Sequence, residues 1–257
     1  MTQVLMQLRE LKLGGMANAL HIQLEQVSTY EGLSFMDRLG LLIDQENLSR
    51  NQRKQERLIR QAHFKLRASV QEIDYQHRRN ITPSQIAQLA QNDWINRKQN
   101  LLITGPCGSG KTYLACAFGH NACLLGYSVR YYRLSRLLLE LNQAKADGSY
   151  HKQLQQLAKI QLLVIDDWGL EALKPAQRND LLEIMDDRHG SSSTVVISQL
   201  PTDQWYAGIG DNTLADAILD RLMHNAHRLQ LQLDGKSMRK IQGLLTEREH
   251  LNENPSS

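Results

Sequence analysis

The chain has 257 residues, a formal net charge of +3 and 41% hydrophobic content. That length suits one sizeable α/β domain with a smaller appendage, and no run of about eighteen apolar residues offers a membrane-spanning helix. The charge excess is too small to establish nucleic-acid binding by itself, so local clusters have to carry that question.

The first residues, MTQVLMQLRELKL, set charges among leucines and lack a secretory apolar core and cleavage site. Cys107, Cys116 and Cys123 form no CxxC pair, and no histidine spacing suggests zinc. Reduced thiols in a cytoplasmic protein are expected.

Residues 1–67 read as a small all-helical N-terminal domain. Met16, Ala19, Leu20, Leu24 and Val27 keep helical spacing, as do Phe35, Leu39, Leu42 and Ile43, with Ser34 placed to cap the second helix. Further on, Arg50, Arg53, Lys54 and Arg57 fall at i, i+3, i+4, i+7 and share one face. From Arg50 to Arg67 there are seven basic residues against the single acid Glu56. This face is a candidate DNA contact. It reads equally as a solvated amphipathic surface or a protein-docking surface.

Residues 68–99 read as a linker and an entry helix. The stretch 68–81 is polar and irregular. Thr82, Pro83 and Gln85 form a helix start, with Thr82 as N-cap, proline in the first turn and glutamine closing a capping box. That helix is expected to reach about Arg97. From residue 100 strands and helices alternate, with strands expected at 101–104, 129–132, 161–165, 194–198 and 228–233 and a helix after Pro175. Such alternation predicts a parallel sheet covered on both faces.

The first strand leads into Gly105-Pro106-Cys107-Gly108-Ser109-Gly110-Lys111-Thr112. Gly-x4-Gly-Lys-Thr between a strand and a helix is the phosphate-binding P-loop. Its glycines let backbone N–H groups turn toward phosphate oxygens, and the helix start adds positive potential. Lys111 is placed for the β- and γ-phosphates of ATP, and the Thr112 hydroxyl for Mg²⁺.

The second strand carries VRYYRLSR. Arg130, Arg133 and Arg136 flank Tyr131 and Tyr132. Arg130, Tyr132, Arg133 and Arg136 are DNA candidates, since arginines meet phosphates and a tyrosine can stack or hydrogen-bond. Sheet core plus surface arginine is the competing reading. The third strand ends in Asp166-Asp167 within LLVIDDWG. Asp166 is placed as the Walker B metal acid and Asp167 as the carboxylate that orients attacking water. STVVISQLP forms the next strand, tipped by Ser198 and Gln199, polar groups that can touch the γ-phosphate or the water. LADAILDRLM follows, with Arg221 opposite its apolar face.

In this order the pieces resemble an AAA+ ATPase, a three-layer P-loop domain spanning residues 100–257. More narrowly the chain is similar to the IstB-like transposition helper ATPases, cousins of the DnaC-type helicase loaders. The likeness rests on GPCGSGKT, on LLVIDDWG, and above all on SQLPTDQWYAGIGDNTLADAILDRLMHNAHRLQL running into SMRK. It implies an ATP-bound homo-oligomer that loads on DNA, engages the transposase of its element and hydrolyses ATP. It also implies roles: Gln199, or its neighbour Ser198, as first sensor and Arg221 as arginine finger. Many related ATPases place glutamate where Asp167 stands, which implies slower hydrolysis or a site closed by a partner. About 24 residues follow Leu233, so the usual helical lid is expected to be truncated, with Arg239 a remnant second sensor. Helicase loading, small-molecule phosphorylation and nucleotide-gated DNA binding without turnover remain competing readings. If Arg221 fails as the finger, Arg188 in MDDRHG is the next candidate.

Overall fold

The computed structural model describes residues 2–77, 79–233 and 238. The chain forms two compact units, Met1–Leu58 and Ile59–Ser257. The first contains α1 (Thr2–Glu10), α2 (Gly14–Glu25), α3 (Val27–Tyr30) and the start of α4 (Phe35–Ala62). Ser34 caps α4 as expected, its hydroxyl accepting from Asp37 N–H at 3.2 Å. The basic stretch is less uniform than its composition suggests. Buried Glu46 on α4 takes Arg50 Nε at 2.7 Å, with Arg53 3.9 Å away. Glu46 also accepts Gly15 N–H at 2.7 Å and Met16 N–H at 3.1 Å, so it caps the start of α2. Lys54 and Arg57 are exposed.

The second unit opens with a stretch that is tied down. Val70–Glu72 is a 3-10 turn capped by Ser69, and Asn80 Nδ2 donates to Gln230 O at 3.2 Å. Thr82 and Gln85 close the expected capping box on α5 (Pro83–Ala90). The single helix expected to Arg97 is corrected: Asn92 is left-handed, with φ +62°, and splits off α6 (Asp93–Asn96). Asparagine is among the few residues that accept that conformation.

Five parallel strands follow: β1 (Asn100–Thr104), β2 (Val129–Arg133), β3 (Leu162–Trp168), β4 (Ser193–Ser198) and β5 (Ala226–Gln230), in the order β2-β3-β4-β1-β5. Two expected bounds are corrected. β5 lies earlier than 228–233, because pairing with β1 sets Asn100 opposite Ala226. β3 extends through its acid pair to Trp168, with an irregularity in its pairing to β4 between Ile165 and Trp168.

The strands are interspersed with α7 (Lys111–Leu124), α8 (Leu134–Asp147), α9 (Tyr150–Lys159), α10 (Pro175–Arg188), α11 (Trp205–Ile209) and α12 (Asn212–Met223). Side chains alternate along each strand. Leu102, Leu163, Ile165 and Val196 join the core beneath α8–α12. The alternate residues Leu101, Ile103, Val164, Val195 and Ile197 are buried on the other face, where α7 packs across the sheet and against α5. The unit is thus a three-layer α/β domain with its parallel sheet in the middle. Trp168 of LLVIDDWG and Trp205 of SQLPTDQWYAG meet in the core with ring centroids 5.4 Å apart.

Candidate functional site

In a parallel sheet the loops after the strands gather at one edge, and ligands bind where the strand order switches. Here β1 and β4 are neighbours whose connections run in opposite directions, from β1 across β4 toward β2 and from β4 across β1 to β5, with β3 next in line. The P-loop leaves β1, the acid pair ends β3, and Ser198-Gln199 ends β4. Three segments far apart in sequence therefore share one cavity, lined by Cys107, Gly108, Gly110, Lys111, Thr112, Asp166, Asp167, Ser198 and Gln199 among others.

The loop has the backbone of a phosphate cradle. Gly105, Gly108 and Gly110 have φ of +146°, +81° and +90°, values that disfavour a side chain. At Gly105 an added Cβ would lie 2.5 Å from Leu231 O, so glycine is required twice over. Lys111 Nζ folds onto Gly105 O at 2.7 Å and Pro106 O at 2.8 Å. The buried Ser109 hydroxyl has no hydrogen-bond partner among the described residues. Cys107 is exposed on the loop. Left-handed glycines, a lysine at the helix start and an orphaned hydroxyl all fit a nucleoside triphosphate.

Asp166 is the centre of the second half. Its Oδ2 accepts from Thr112 Oγ1 at 2.9 Å and from Tyr131 Oη at 2.6 Å, and Lys65 Nζ lies 3.7 Å away. Its Oδ1 accepts Asp167 N–H at 2.8 Å. Thr112 and Asp166 thus face each other as one hydroxyl and one carboxylate, a donor set that fits Mg²⁺, which keeps waters and phosphate oxygens for its other positions. Asp167 is left-handed at φ +63°. Such strain at a strand end collects at functional sites. Arg133 Nε lies 3.6 Å from Asp167 Oδ2.

The other candidates separate. Ser198 donates to Trp168 O at 2.8 Å and accepts Leu200 N–H at 3.0 Å, so its hydroxyl is held by backbone. Gln199 is exposed. Arg221 sits at the opposite edge of the sheet. Its carbonyl accepts from Asn100, the first residue of β1, at 3.1 Å, whereas the P-loop follows the strand's last residue. Its guanidinium pairs with Asp186 and donates to Ala217 O at 2.7 Å. Arg188 is 2% exposed and donates to Leu157 O, Ile160 O, Ser193 O and Thr194 Oγ1. Burial pushes its pKa down to about 9. It is a core residue, and the fallback finger is corrected. Of the tyrosine-arginine cluster, Arg130 stacks 5.2 Å over the Tyr132 ring and donates to Gln61 O at 2.9 Å. Arg136 is exposed. Arg239 lies outside the described residues.

Sequence reasoning missed three residues here. Tyr131 has a readable signal: it shares strand parity with inward Val129, while Tyr132 points the other way. Lys65 and Arg79 also line the cavity, and nothing local marks them.

Strand order, P-loop and acid pair define a P-loop ATPase fold of the AAA+ type. The profile of the "IstB-like ATP binding protein" family matches residues 6–245, and the chain belongs to that family. A Pseudomonas fluorescens protein named for insertion sequence IS1162 and for ATP binding is 50% identical over 210 residues, 81% of this chain and 90% of that one. A Sinorhizobium fredii protein, y4pL, similarly named for an insertion sequence and ATP binding, is 44% identical over 235 residues, 91% and 95% of the two chains. The crystal structure of the DnaC helicase loader matches with TM-score 0.51 at 19% identity, covering 64% of this chain and 96% of that one. At that identity the likeness is one of fold.

Proposed function

We propose that this chain is an ATP-hydrolysing transposition helper that assembles as a homo-oligomer on DNA in its ATP state and engages the transposase of its insertion sequence. The observation that carries the reading is the convergence of Lys111, Thr112, Asp166, Asp167 and Gln199 on one cavity in a chain whose relatives are named for insertion sequences and ATP binding.

The roles follow from position. The P-loop N–H groups and Lys111 bind and orient the phosphates. Thr112 and Asp166 would hold Mg²⁺, which when bound neutralises charge on the β- and γ-phosphates. Asp167 accepts a hydrogen bond from the attacking water and aligns it, and Gln199 reports on the γ-phosphate. Asn100, beside Arg221, stands four residue steps along β1 from Thr104, which leads into the loop of its own chain, roughly 13 Å, and so Arg221 serves a neighbour's site as a finger in trans. Lys54, Arg57 and Arg136, exposed on the surface, together with Arg50, Arg53, Arg130, Tyr132 and Arg133, provide DNA contacts dominated by phosphate.

Gel-shift titrations on duplex DNA over a salt series, with and without ATP, test this reading. Binding should need ATP, show little sequence preference and weaken steeply with salt. Lys111→Ala should lose nucleotide and DNA binding together. Asp167→Asn should bind ATP, assemble on DNA and stay there without turnover. Tight binding to one sequence without nucleotide, or wild-type hydrolysis by Asp167→Asn, would overturn it.

A further inference from the structure

Arg79 is the least expected residue in the nucleotide cavity. It comes from the irregular stretch before α5, yet it is only 4% exposed and lines the cavity with the P-loop. Its Nη1 lies where a Cβ on Gly110 would come within 2.7 Å, so the guanidinium rests against the last glycine of the cradle. The chain is tied down at Arg79 itself and at the residue after it. Arg79 O accepts Gln232 N–H at 3.1 Å, and the Asn80 side chain is bound to Gln230 O.

Its own polar atoms are poorly matched. Nη2 donates to the carbonyl of Asp74. Nε is buried and has no hydrogen-bond partner among the described residues. Among the described residues Arg79 forms no ion pair. The Asp74 carboxylate instead serves His77 at 2.6 Å and Gln76 N–H at 2.7 Å, and Glu72 receives Tyr113 Oη at 3.3 Å. Burial pushes the Arg79 pKa below the usual arginine range, with Asp74, Tyr75 and Tyr113 pulling it back. A buried guanidinium that lacks a countercharge is costly to keep. One that borders a phosphate cradle gains its countercharge when an anion enters, and its planar fork suits phosphate oxygens.

We infer that Arg79 is a nucleotide-binding residue: its guanidinium contacts the phosphates of the bound nucleotide from the side of Gly110, and it ties residues 79–81 to nucleotide occupancy. The inference rests on the reading of the P-loop as an ATP site and adds a cation that the P-loop pattern does not contain. Because Arg79 rests on Gly110 at the start of α7, ADP and ATP both depend on it.

Isothermal titration of ATP and ADP into wild type, Arg79→Met, Arg79→Lys and Lys111→Ala tests it, with melting temperatures taken with and without nucleotide. Removing a charge-assisted hydrogen bond to phosphate should raise the Kd for both nucleotides about 10- to 100-fold in Arg79→Met, with Arg79→Lys in between. Without nucleotide, Arg79→Met should melt no lower than wild type, since it removes a buried charge that forms no ion pair among the described residues. Its rise in melting temperature on adding ATP should largely vanish. Wild-type Kd values in Arg79→Met overturn the inference. So does a drop in nucleotide-free stability with the ATP-induced rise intact, which marks a structural residue. If Arg79→Met does not fold, Arg79→Lys decides, and wild-type affinity there overturns the inference. A wild-type protein that binds no nucleotide overturns the P-loop reading and this one together, whereas wild-type binding that Arg79→Met leaves unchanged overturns this one alone.

Discussion

The Tyr131 hydroxyl donates to Asp166 Oδ2 at 2.6 Å, from the strand next to the one that carries the acid. Tyr131 is 7% exposed, and burial together with the neighbouring carboxylate pushes its pKa well above the ordinary tyrosine range. The phenol therefore keeps its proton and stays a donor. It fixes the carboxylate that also meets Thr112, so β2 braces a site built on β1 and β3.

Replacing Tyr131 by phenylalanine keeps the ring in place and removes only the donor. A hydrogen bond to a charged group contributes about 1.5–3 kcal/mol. Urea denaturation of Tyr131→Phe should show a loss of that size, with the dependence on denaturant unchanged. Equal midpoints for the two proteins would show that the bond contributes nothing to folding.

The three cysteines should separate by reactivity. Cys107 is exposed on the P-loop, while Cys116 and Cys123 are buried on α7. Burial pushes the last two up to about 11 and about 12. An acid whose folded pKa is raised stays protonated until the pH climbs through that value, so neither offers thiolate near pH 8. A thiol-exchange reagent at pH 8 should titrate one cysteine per folded chain and three in denaturant. Saturating ATP should slow the reaction at Cys107, because the nucleotide would lie in the cradle beside it. Fast labelling of all three in the folded protein would place α7 outside the core.

Arg188 should behave as a core residue. Its guanidinium joins the end of α9 to β4 through carbonyl groups of Leu157, Ile160 and Ser193. Arg188→Ala leaves those acceptors buried at about 1–3 kcal/mol each, partly offset by removing a buried charge. A net loss of roughly 2–5 kcal/mol is expected, read as a lower denaturation midpoint. Lysine cannot span the same acceptors with one ammonium and should restore little.

The parts that were legible in the sequence are those whose chemistry is contiguous. The P-loop states its glycines, lysine and threonine in eight residues, and the acid pair closes an apolar run. The capping box at Thr82 was readable for the same reason. What escaped depends on tertiary placement. Arg79 lies in a polar stretch without periodicity and matters only because residues 79 and 80 dock beside the end of β5. β3 continues past Ile165 because a pairing irregularity lets Asp167 turn without ending the strand. Glu46 is one charge among many on a long helix, and only the fold brings two N–H groups of α2 beside it. The tryptophans of IDDWG and TDQWYAG served as family markers in the sequence. In the fold they are packing partners beneath the site, with Trp205 Nε1 donating to Leu200 O at 3.0 Å.

Arg221 adjoins the start of β1, and Asp167 ends β3 at the other edge of the sheet. A finger supplied in trans is worth roughly 10³–10⁵ in rate, so Arg221→Ala should nearly abolish hydrolysis while ATP still binds the cradle. The Arg221 side chain is only partly buried and its pairing with Asp186 is at the surface, so folding stability should hardly change. Mixing provides the decisive measurement. Asp167→Asn subunits keep the finger, and Arg221→Ala subunits keep the acid. Where the two kinds meet with the right faces, an intact composite site forms. Mixed oligomers on DNA should therefore recover part of the ATPase that neither variant has alone, rising and falling with the mixing ratio. If co-assembly is demonstrated and no activity returns, Arg221 serves no neighbour, and the γ-phosphate of each site is met by residues of its own chain.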